Sequence, residues 1–410
     1  MIDLDDARSA VLDHAAPLPA TKATLESALG CVLALRVCTT LDLPSFDNSA
    51  VDGFGVQVDD VAEASEHAPI RLELVGTVRA GEDASEVALP KGRALKIMTG
   101  AAAPADVEAV IMREYCREEH ECVYIQRPVK PGENIRRKGE EFQRGQQILD
   151  AGTRVTPAVV GLLATVGLTE VEVHGKPRVA VVVTGDELLK PGTALKPGQI
   201  YESNSFALAA ILCEIGIADV QMLHLRDERD VITKGIRESL DGSDILITVG
   251  GVSVGDFDYV KQAMADLGVE QIFWKINMKP GKPNFVGVYR KKSGANTLVF
   301  GLPGNPVSAQ VSFHHLVRPA ILKMMGEANV ERQVLLAELA ADIQHKPGRR
   351  EFLRGVLEMK RGHPVVRPVS GQGSHMQGGL AKANCLIDVP ADCPGYRQGE
   401  QVFVELLTWR

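Results

Sequence analysis

The sequence predicts a multidomain α/β protein: a central doubly wound α/β domain, a discontinuous helical segment, a β-rich inserted domain and a C-terminal β-barrel. Three observations carry this. At 410 residues the chain exceeds what one core usually holds. From Pro177 to about residue 327, apolar runs alternate with helical spacings, as in a parallel sheet covered on both faces. From Val56 to Arg144, and again from 328 onward, short β-rich runs alternate with Gly/Pro turns. The expected division is 1–45 with 145–176 (helical, linking), 46–144 (inserted), 177–327 (α/β) and 328–410 (barrel).

Composition narrows the function classes. With 45% hydrophobic and 24% charged residues the chain is an ordinary soluble protein, and its net charge of −8 argues against nucleic-acid binding. No apolar run approaches the roughly 20 residues of a membrane span, and the acidic N-terminus is unlike a signal peptide. The seven cysteines form no Cys-x-x-Cys pair and lack a histidine at zinc-ligand spacing, so reduced thiols and a cytoplasmic location are expected. His314-His315 lies in a helical pattern and reads as packing or surface rather than a metal site.

In order, residues 2–16 read as a helix with Leu4, Ala7, Val11 and Leu12 on one face and aspartates in its first turn. A second helix is expected over Thr24–Leu35, with Gly30 inside it. PSFDNSAVDGF (Pro44 to Phe54) carries turn chemistry, and two readings stand: consecutive turns, or a loop presenting Asn48, Ser49 and Asp52 as polar ligands. Strands are expected at Ile70–Val78, Ala94–Met98, Ala109–Arg113 and Cys122–Ile125. Thr99 follows the second of these at a small-residue loop, where its hydroxyl can meet an anion or close a turn. A helix begins at Pro157, and the helical segments on either side of the insert are expected to pack together.

The α/β part carries the chemistry. Arg178–Val183 is a continuous apolar run ending in TGDEL (Thr184 to Leu188). In YESNSFALAAILCEIG, Ser203 or Asn204 can cap a helix. Val220–Leu225 delivers Arg226 and Asp227, and residues 231–240 form a helix. The organising stretch is DILITVGGVSVGDFD (Asp244 to Asp258): a buried strand, then Gly250-Gly251, then a loop through Ser253 to Asp256 and Asp258, then a helix from Tyr259. Glycines let backbone approach a ligand, and a helix start favours an anion. The glycine spacing fits neither the dinucleotide fingerprint nor the Walker loop. Acids beside an anion-cradling loop call for a divalent cation. Ile272–Ile276 and Thr297–Phe300 complete the strands, leading to KPGKP (Lys279 to Pro283) and GLPGNPVSA (Gly301 to Ala309).

Ligands of such folds bind beyond the carboxyl ends of the strands. Those ends here carry Asp186, Glu187, Asp227, Asp256, Asp258, Lys275, Lys279, Lys282 and Asn305. In the last domain Arg349, Arg350 and Arg354 cluster near a turn, and a glycine-rich segment holds Ser374 and His375.

PSFDNSAVDGF, IMTGAAAPADVEAVIMRE, IRRKGEEF, TGDEL, GQIYESNS, GGVSVGDFDYVK, KPGKP and GLPGNPVSA occur in the order and spacing of the MoeA family. This molybdopterin molybdenumtransferase family includes the gephyrin E domain, and the resemblance covers essentially the whole chain. It implies a MogA-like α/β domain and a Mg²⁺-dependent transferase that takes adenylylated molybdopterin and molybdate, cleaves the adenylate and releases AMP. It also implies a homodimer with an active site shared between subunits, in which Asp52 and Thr99 face the other chain's α/β site. The role assignments that follow are expectations. Glu187, Asp227, Asp256 and Asp258 serve metal binding and catalysis, with Asp258 foremost. Lys275 and Lys279 bind phosphate or molybdate; Gly250, Gly251, Ser253 and Asn305 shape the pterin–nucleotide pocket. Arg350 and Ser374 form a second anion site. Two departures stand out: Gln377-Gly378-Gly379 where serines are common, and Val183 where serine is frequent. Further expected partners are a MogA-like adenylyltransferase and cofactor-accepting molybdoenzymes. Competing readings are a scaffold without turnover and an adenylyltransferase; the carboxylates argue against the first, the additional β domains against the second.

Overall fold

A computed structural model describes residues 1–251 and 259–407. The chain divides into two compact units, one of residues 36–151 with 161–169, the other of residues 1–35, 152–160 and 170–410. No helix among the described residues is long and apolar enough to cross a membrane.

The first unit is built on a six-stranded sheet whose strands include Gly53–Val56, Ile70–Val78, Arg93–Ile97, Ala109–Met112 and Cys122–Ile125. Both faces are covered: Phe54, Leu72, Ile111 and Val123 pack on one side, Leu95, Ile97 and Val110 on the other. Four of these strands match the alternation in the sequence. The fifth, Gly53–Val56, lies between two others in the sheet although its glycines suggest a turn. A Cβ on Gly53 would stand 2.0 Å from the Ile111 carbonyl oxygen, so the sheet closes there only around glycine. Asn48 and Ser49 are buried and bond to their own loop, Asn48 to the Phe46 carbonyl and Ser49 to that of Val51. The ligand-presenting loop is thereby corrected: of its three polar residues only Asp52 is exposed.

In the second unit the helix Leu4–Asp13 buries Leu4, Ala7 and Val11. The helix expected over Thr24–Leu35 shrinks to Leu25–Ala28. Gly30 adopts a left-handed φ of 76° and turns the chain, after which Val32 and Leu33 bridge to Arg154 and Val173. Ala20–Thr24 pairs antiparallel with Glu170–His174, so strand pairing joins the two sides of the insert here.

The α/β layer comprises β1 (Val179–Thr184), α1 (Asn204–Glu214), β2 (Val220–Leu225), α2 (Arg229–Gly242), β3 (Ile245–Val249), α3 (Tyr259–Asp266), β4 (Glu270–Trp274), β5 (Phe285–Arg290), β6 (Asn296–Leu302) and α4 (Pro306–Ser312). The sheet order is 2-1-3-6-5-4. Strands β2, β1, β3 and β6 are parallel; β5 runs antiparallel to β6 and to β4. The antiparallel β5 is not among the expected strands. Val179, Val181 and Val183 of β1 face α1, while Ala180 and Val182 face α2 and α3. This alternate burial is why the run is continuously apolar. The chain leaves β1 in one direction to β2 and crosses to β3 on the other side, placing a switch point beyond β1 and β3.

The barrel strands are β7 (Val334–Leu339), β8 (Arg350–Lys360), β9 (His363–Pro368), β10 (Cys385–Val389) and β11 (Gln401–Leu406). Their pairing closes in the ring β8-β9-β7-β11-β10-β8. Met278-Lys279 adds to β8 beside Arg350 and Glu351, tying the proline loop to the barrel. His314 and His315 lie in a π-helical turn after α4, buried, with His315 against the Phe352 ring. Burial pushes both imidazoles well below their usual range, so they are neutral core groups.

Candidate active site

The switch point opens into a cleft of about 410 Å³ bordered by Thr184, Glu187, Asn204, Gly250, Gly251 and Asn305. Gly250 and Gly251 have φ of 87° and 64°, and a Cβ on Gly251 would fall 2.5 Å from Val260 Cγ2. Only glycine meets both demands, and it leaves backbone facing the cleft. Asn305 precedes Pro306 at the start of α4, as a helix start led by proline requires.

Asn204 was missed as a site residue. It was expected as a helix cap, along with Ser203, but neither side chain makes a capping bond; Glu202 accepts from the Ser205 N–H instead. Asn204 Nδ2 donates to the Gly304 carbonyl at 2.8 Å, which fixes the amide and leaves its buried Oδ1 without a partner among the described residues. A buried acceptor on a cleft wall is costly until a ligand N–H meets it.

At the neighbouring strand ends, Asp186 and Asp227 are cross-linked: each carboxylate accepts from the other's backbone N–H at 3.3 Å. A second cavity, about 520 Å³, lies between the proline loop and the barrel and is bordered by Lys279, Lys282, Asn305, Arg349, Gln372 and Ser374. Asn305 and Pro283 border both spaces. Lys279 Nζ meets Glu351 at 2.8 Å, so its charge is already partly countered.

Arg350 does not border this cavity. Its guanidinium is bidentate on Asp388, at 2.9 and 2.6 Å, with a further bond to Asp5. The hydrogen bonds to Asp388 raise its pKa beyond the usual guanidinium range. Arg349, one residue earlier, borders the cavity, whereas the expected Arg350 does not. Arg354 is fully buried and donates to the Gly371 and Gly373 carbonyls at 2.6 and 3.3 Å, holding the segment that presents Gln372 and Ser374.

Lys275 stands at the end of β4 in a left-handed conformation, φ 70°, with its ammonium over the Trp274 ring. Ser253, Asp256 and Asp258 lie outside the described residues. Among the described residues no three His, Cys, Asp or Glu converge to hold a metal. In the other unit Asp52 and Thr99 come together, the carboxylate accepting from the threonine N–H and hydroxyl, both at 2.7 Å.

Three family models match in chain order. The "MoeA N-terminal region (domain I and II)" covers 2–167, the "Probable molybdopterin binding domain" covers 180–323, and the "MoeA C-terminal region (domain IV)" covers 337–407. A molybdopterin molybdenumtransferase of Haemophilus influenzae is 34% identical over 99% of this chain and 98% of its own length. The chain belongs to the MoeA family. Within it, the molybdopterin molybdenumtransferase 2 of Mycobacterium tuberculosis is 40% identical over 94% of both chains. A crystal structure of a molybdopterin biosynthesis moeA protein from Pyrococcus horikoshii superposes with a TM-score of 0.82 at 31% identity, covering 99% of this chain and all of the other. The MoeA regions coincide with the elements above: the second spans the α/β layer and the third the closed barrel.

Proposed function

We propose that this MoeA-family chain is a molybdopterin molybdenumtransferase that takes adenylylated molybdopterin and molybdate, places the molybdenum on the dithiolene sulfurs, and cleaves the adenylate with release of AMP, giving molybdenum cofactor. What supports this reading most directly is the pair of cavities that share Asn305. One offers glycine backbone and an unsatisfied amide acceptor, suited to a flat, N–H-bearing pterin; the other is bordered by Lys279, Lys282 and Arg349, suited to an oxyanion. Putting the two ligands in adjoining spaces makes their reaction effectively intramolecular.

In this reading Gly250, Gly251, Asn204 and Asn305 orient the pterin, with Ser253 on the adjoining loop. Lys275 and Lys279 take phosphate or molybdate, and Arg349 and Ser374 complete the oxyanion pocket. Asp227 and Asp258 serve the cleavage. Mg²⁺ is the implied cofactor, and the carboxylate oxygen of Glu187 on the cleft wall is the hard donor that ion prefers. Glu187, Asp256 and Asp258 would hold it, and when bound it neutralises phosphate charge. The working form is a homodimer in which Asp52 and Thr99 of one copy complete the cleft of the other. The substrate comes from a MogA-like adenylyltransferase, and the product passes to cofactor-accepting molybdoenzymes.

The decisive experiment measures AMP release from adenylylated molybdopterin with Mg²⁺, with and without molybdate. Molybdate-dependent release that also activates a cofactor-free molybdoenzyme is expected. Substrate binding without release would overturn the reading in favour of a scaffold; accumulation of adenylate from molybdopterin and ATP would overturn it in favour of adenylylation.

A further inference from the structure

We propose that Trp274 is a platform holding Lys261 and Lys275 together as a two-ammonium clamp for the phosphate of the nucleotide half of the substrate. Lys261 Nζ lies 3.4 Å from the centroid of the Trp274 ring and Lys275 Nζ 3.8 Å from the same centroid. One indole thus gathers two cations from different elements, α3 and the end of β4. One such contact is common and needs no functional account. Two on one ring place like charges within about 7 Å of each other, which is unfavourable until an anion joins them.

The backbone is arranged to keep them there. Lys275 is held at φ 70°, a region that side chains rarely adopt, by its N–H bonded to the Asn284 carbonyl and its own carbonyl bonded to the Ile2 N–H. Lys261 sits in the first turn of α3, where the helix dipole disfavours a cation and favours an anion. Lys279 has Glu351 beside it, whereas among the described residues neither Lys261 nor Lys275 forms an ion pair. Both are partly exposed, so an incoming anion reaches them.

Sheet topology puts the clamp on the correct edge. Because β5 is antiparallel to both β6 and β4, β4 points the same way as the parallel strands, and Trp274 ends it on the edge that carries Gly250 and Asn305. Strand β4 is three places from β3 in the sheet, roughly 14 Å at the usual spacing. An elongated pterin–nucleotide can bridge that span, with its pterin beside Gly250 and Gly251 at the end of β3 and its phosphate at the clamp. The inference rests on the function proposed above and adds to it the place of the nucleotide phosphate.

The chain has two tryptophans, Trp274 and Trp409, so a Trp409→Phe parent reports on Trp274 by fluorescence. Titrated with AMP, this parent is expected to show a saturable change in emission, and with adenosine none. Lys261→Gln is expected to raise the Kd for AMP ~10-fold, as loss of a charged hydrogen bond does, and Lys261→Arg to restore most of it. In turnover, Lys261→Gln should raise KM for the adenylylated substrate and also lower kcat, because the clamped phosphate carries the bond that breaks, and Lys261→Arg should restore most of both, a rescue that a general structural defect does not produce. Trp274→Leu, followed calorimetrically, should weaken AMP binding similarly. AMP binding unchanged in Lys261→Gln, or adenosine binding as tightly as AMP, would overturn the clamp. If the parent binds AMP through Lys261 yet releases none from adenylylated molybdopterin, the clamp stands and the transferase reading falls.

Discussion

Asp52 Oδ1 accepts two hydrogen bonds from one residue, the Thr99 N–H and the Thr99 hydroxyl, both at 2.7 Å and across 47 positions of sequence. The backbone bond is the larger influence and the hydroxyl the next; together they hold the Asp52 carboxyl below the usual carboxylate range, with a smaller pull from Arg113. Thr99→Ala removes the hydroxyl donor and keeps the N–H, so the Asp52 carboxyl should titrate at higher pH than in the wild type, while staying below the ordinary range. Carboxyl-carbon NMR measures this, and an unchanged titration would refute it. The sign for stability follows. A depressed folded pKa gives stability that is complete above the unfolded value and lost as pH falls through the folded one. The part of the stability difference between Thr99→Ala and wild type that arises from this shift should therefore be present at neutral pH and vanish in acid.

Arg349 and Arg350 separate binding from folding. Arg350 is bidentate on Asp388, a mostly buried carboxylate, whereas Arg349 borders the oxyanion cavity. Arg350→Gln is expected to cost about 1–3 kcal/mol in urea unfolding, because it strands that carboxylate, and to leave the molybdate KM unchanged. Arg349→Gln should do the reverse, raising the molybdate KM ~10-fold with little effect on unfolding. Exchange of those two results would return the role to Arg350.

How much of this was legible in the sequence depended on whether a local pattern had one physical cause. The runs at Val179–Thr184 and Ile245–Val249 read correctly because burial on both faces admits only apolar residues. Asp186, Glu187, Asp227 and Lys275 were legible at the ends of described strands because topology alone sends them to one edge. Gly53–Val56 was not: glycines demanded by the Ile111 carbonyl look like a turn until the neighbouring strand is placed. Two adjacent arginines at a turn cannot be sorted until the start of β8 is known. Asn204 was read for its helix position, and the partner that orients it, Gly304, lies 100 residues away.

Asn204 should affect ligand and fold differently. Asn204→Ala removes the orphaned Oδ1 and the bond to Gly304 together. Molybdopterin binding, measured calorimetrically, should weaken ~10-fold, and unfolding should lose about 1 kcal/mol. Asn204→Asp keeps the acceptor but loses the donor, so it should lose stability and retain more of the binding. Equal binding losses in the two variants would remove Oδ1 from the pterin site.

Gly251 tests the cleft floor. Gly251→Ala must adopt a φ of 64° and place its Cβ 2.5 Å from Val260 Cγ2. The expected cost is about 2–4 kcal/mol in chemical unfolding, from backbone strain and overpacking together. Measured against Val260→Ala, the double variant removes the Cγ2 contact but keeps the strain and a Val260 Cβ contact of 2.9 Å, so adding Gly251→Ala there should cost less than in the wild type without falling to zero. A full cost in both backgrounds would show that the Val260 Cγ2 contact carries none of the requirement.

Subunit sharing has a quantitative test. If Asp52 of one copy completes the cleft that contains Glu187 of the other, Asp52→Ala and Glu187→Gln inactivate different halves of one composite site. Each variant alone should be inactive in molybdate-dependent AMP release. After dissociation and random reassociation of equal amounts, about half the dimers are mixed. Each mixed dimer has one site carrying both substitutions and one carrying neither, so activity should return to about a quarter of wild type. A site built within one copy gives a different result, because every site in every dimer then carries one of the two substitutions and activity stays at zero. Restored activity must also fall when an excess of either variant is mixed in, since mixed dimers then become rarer.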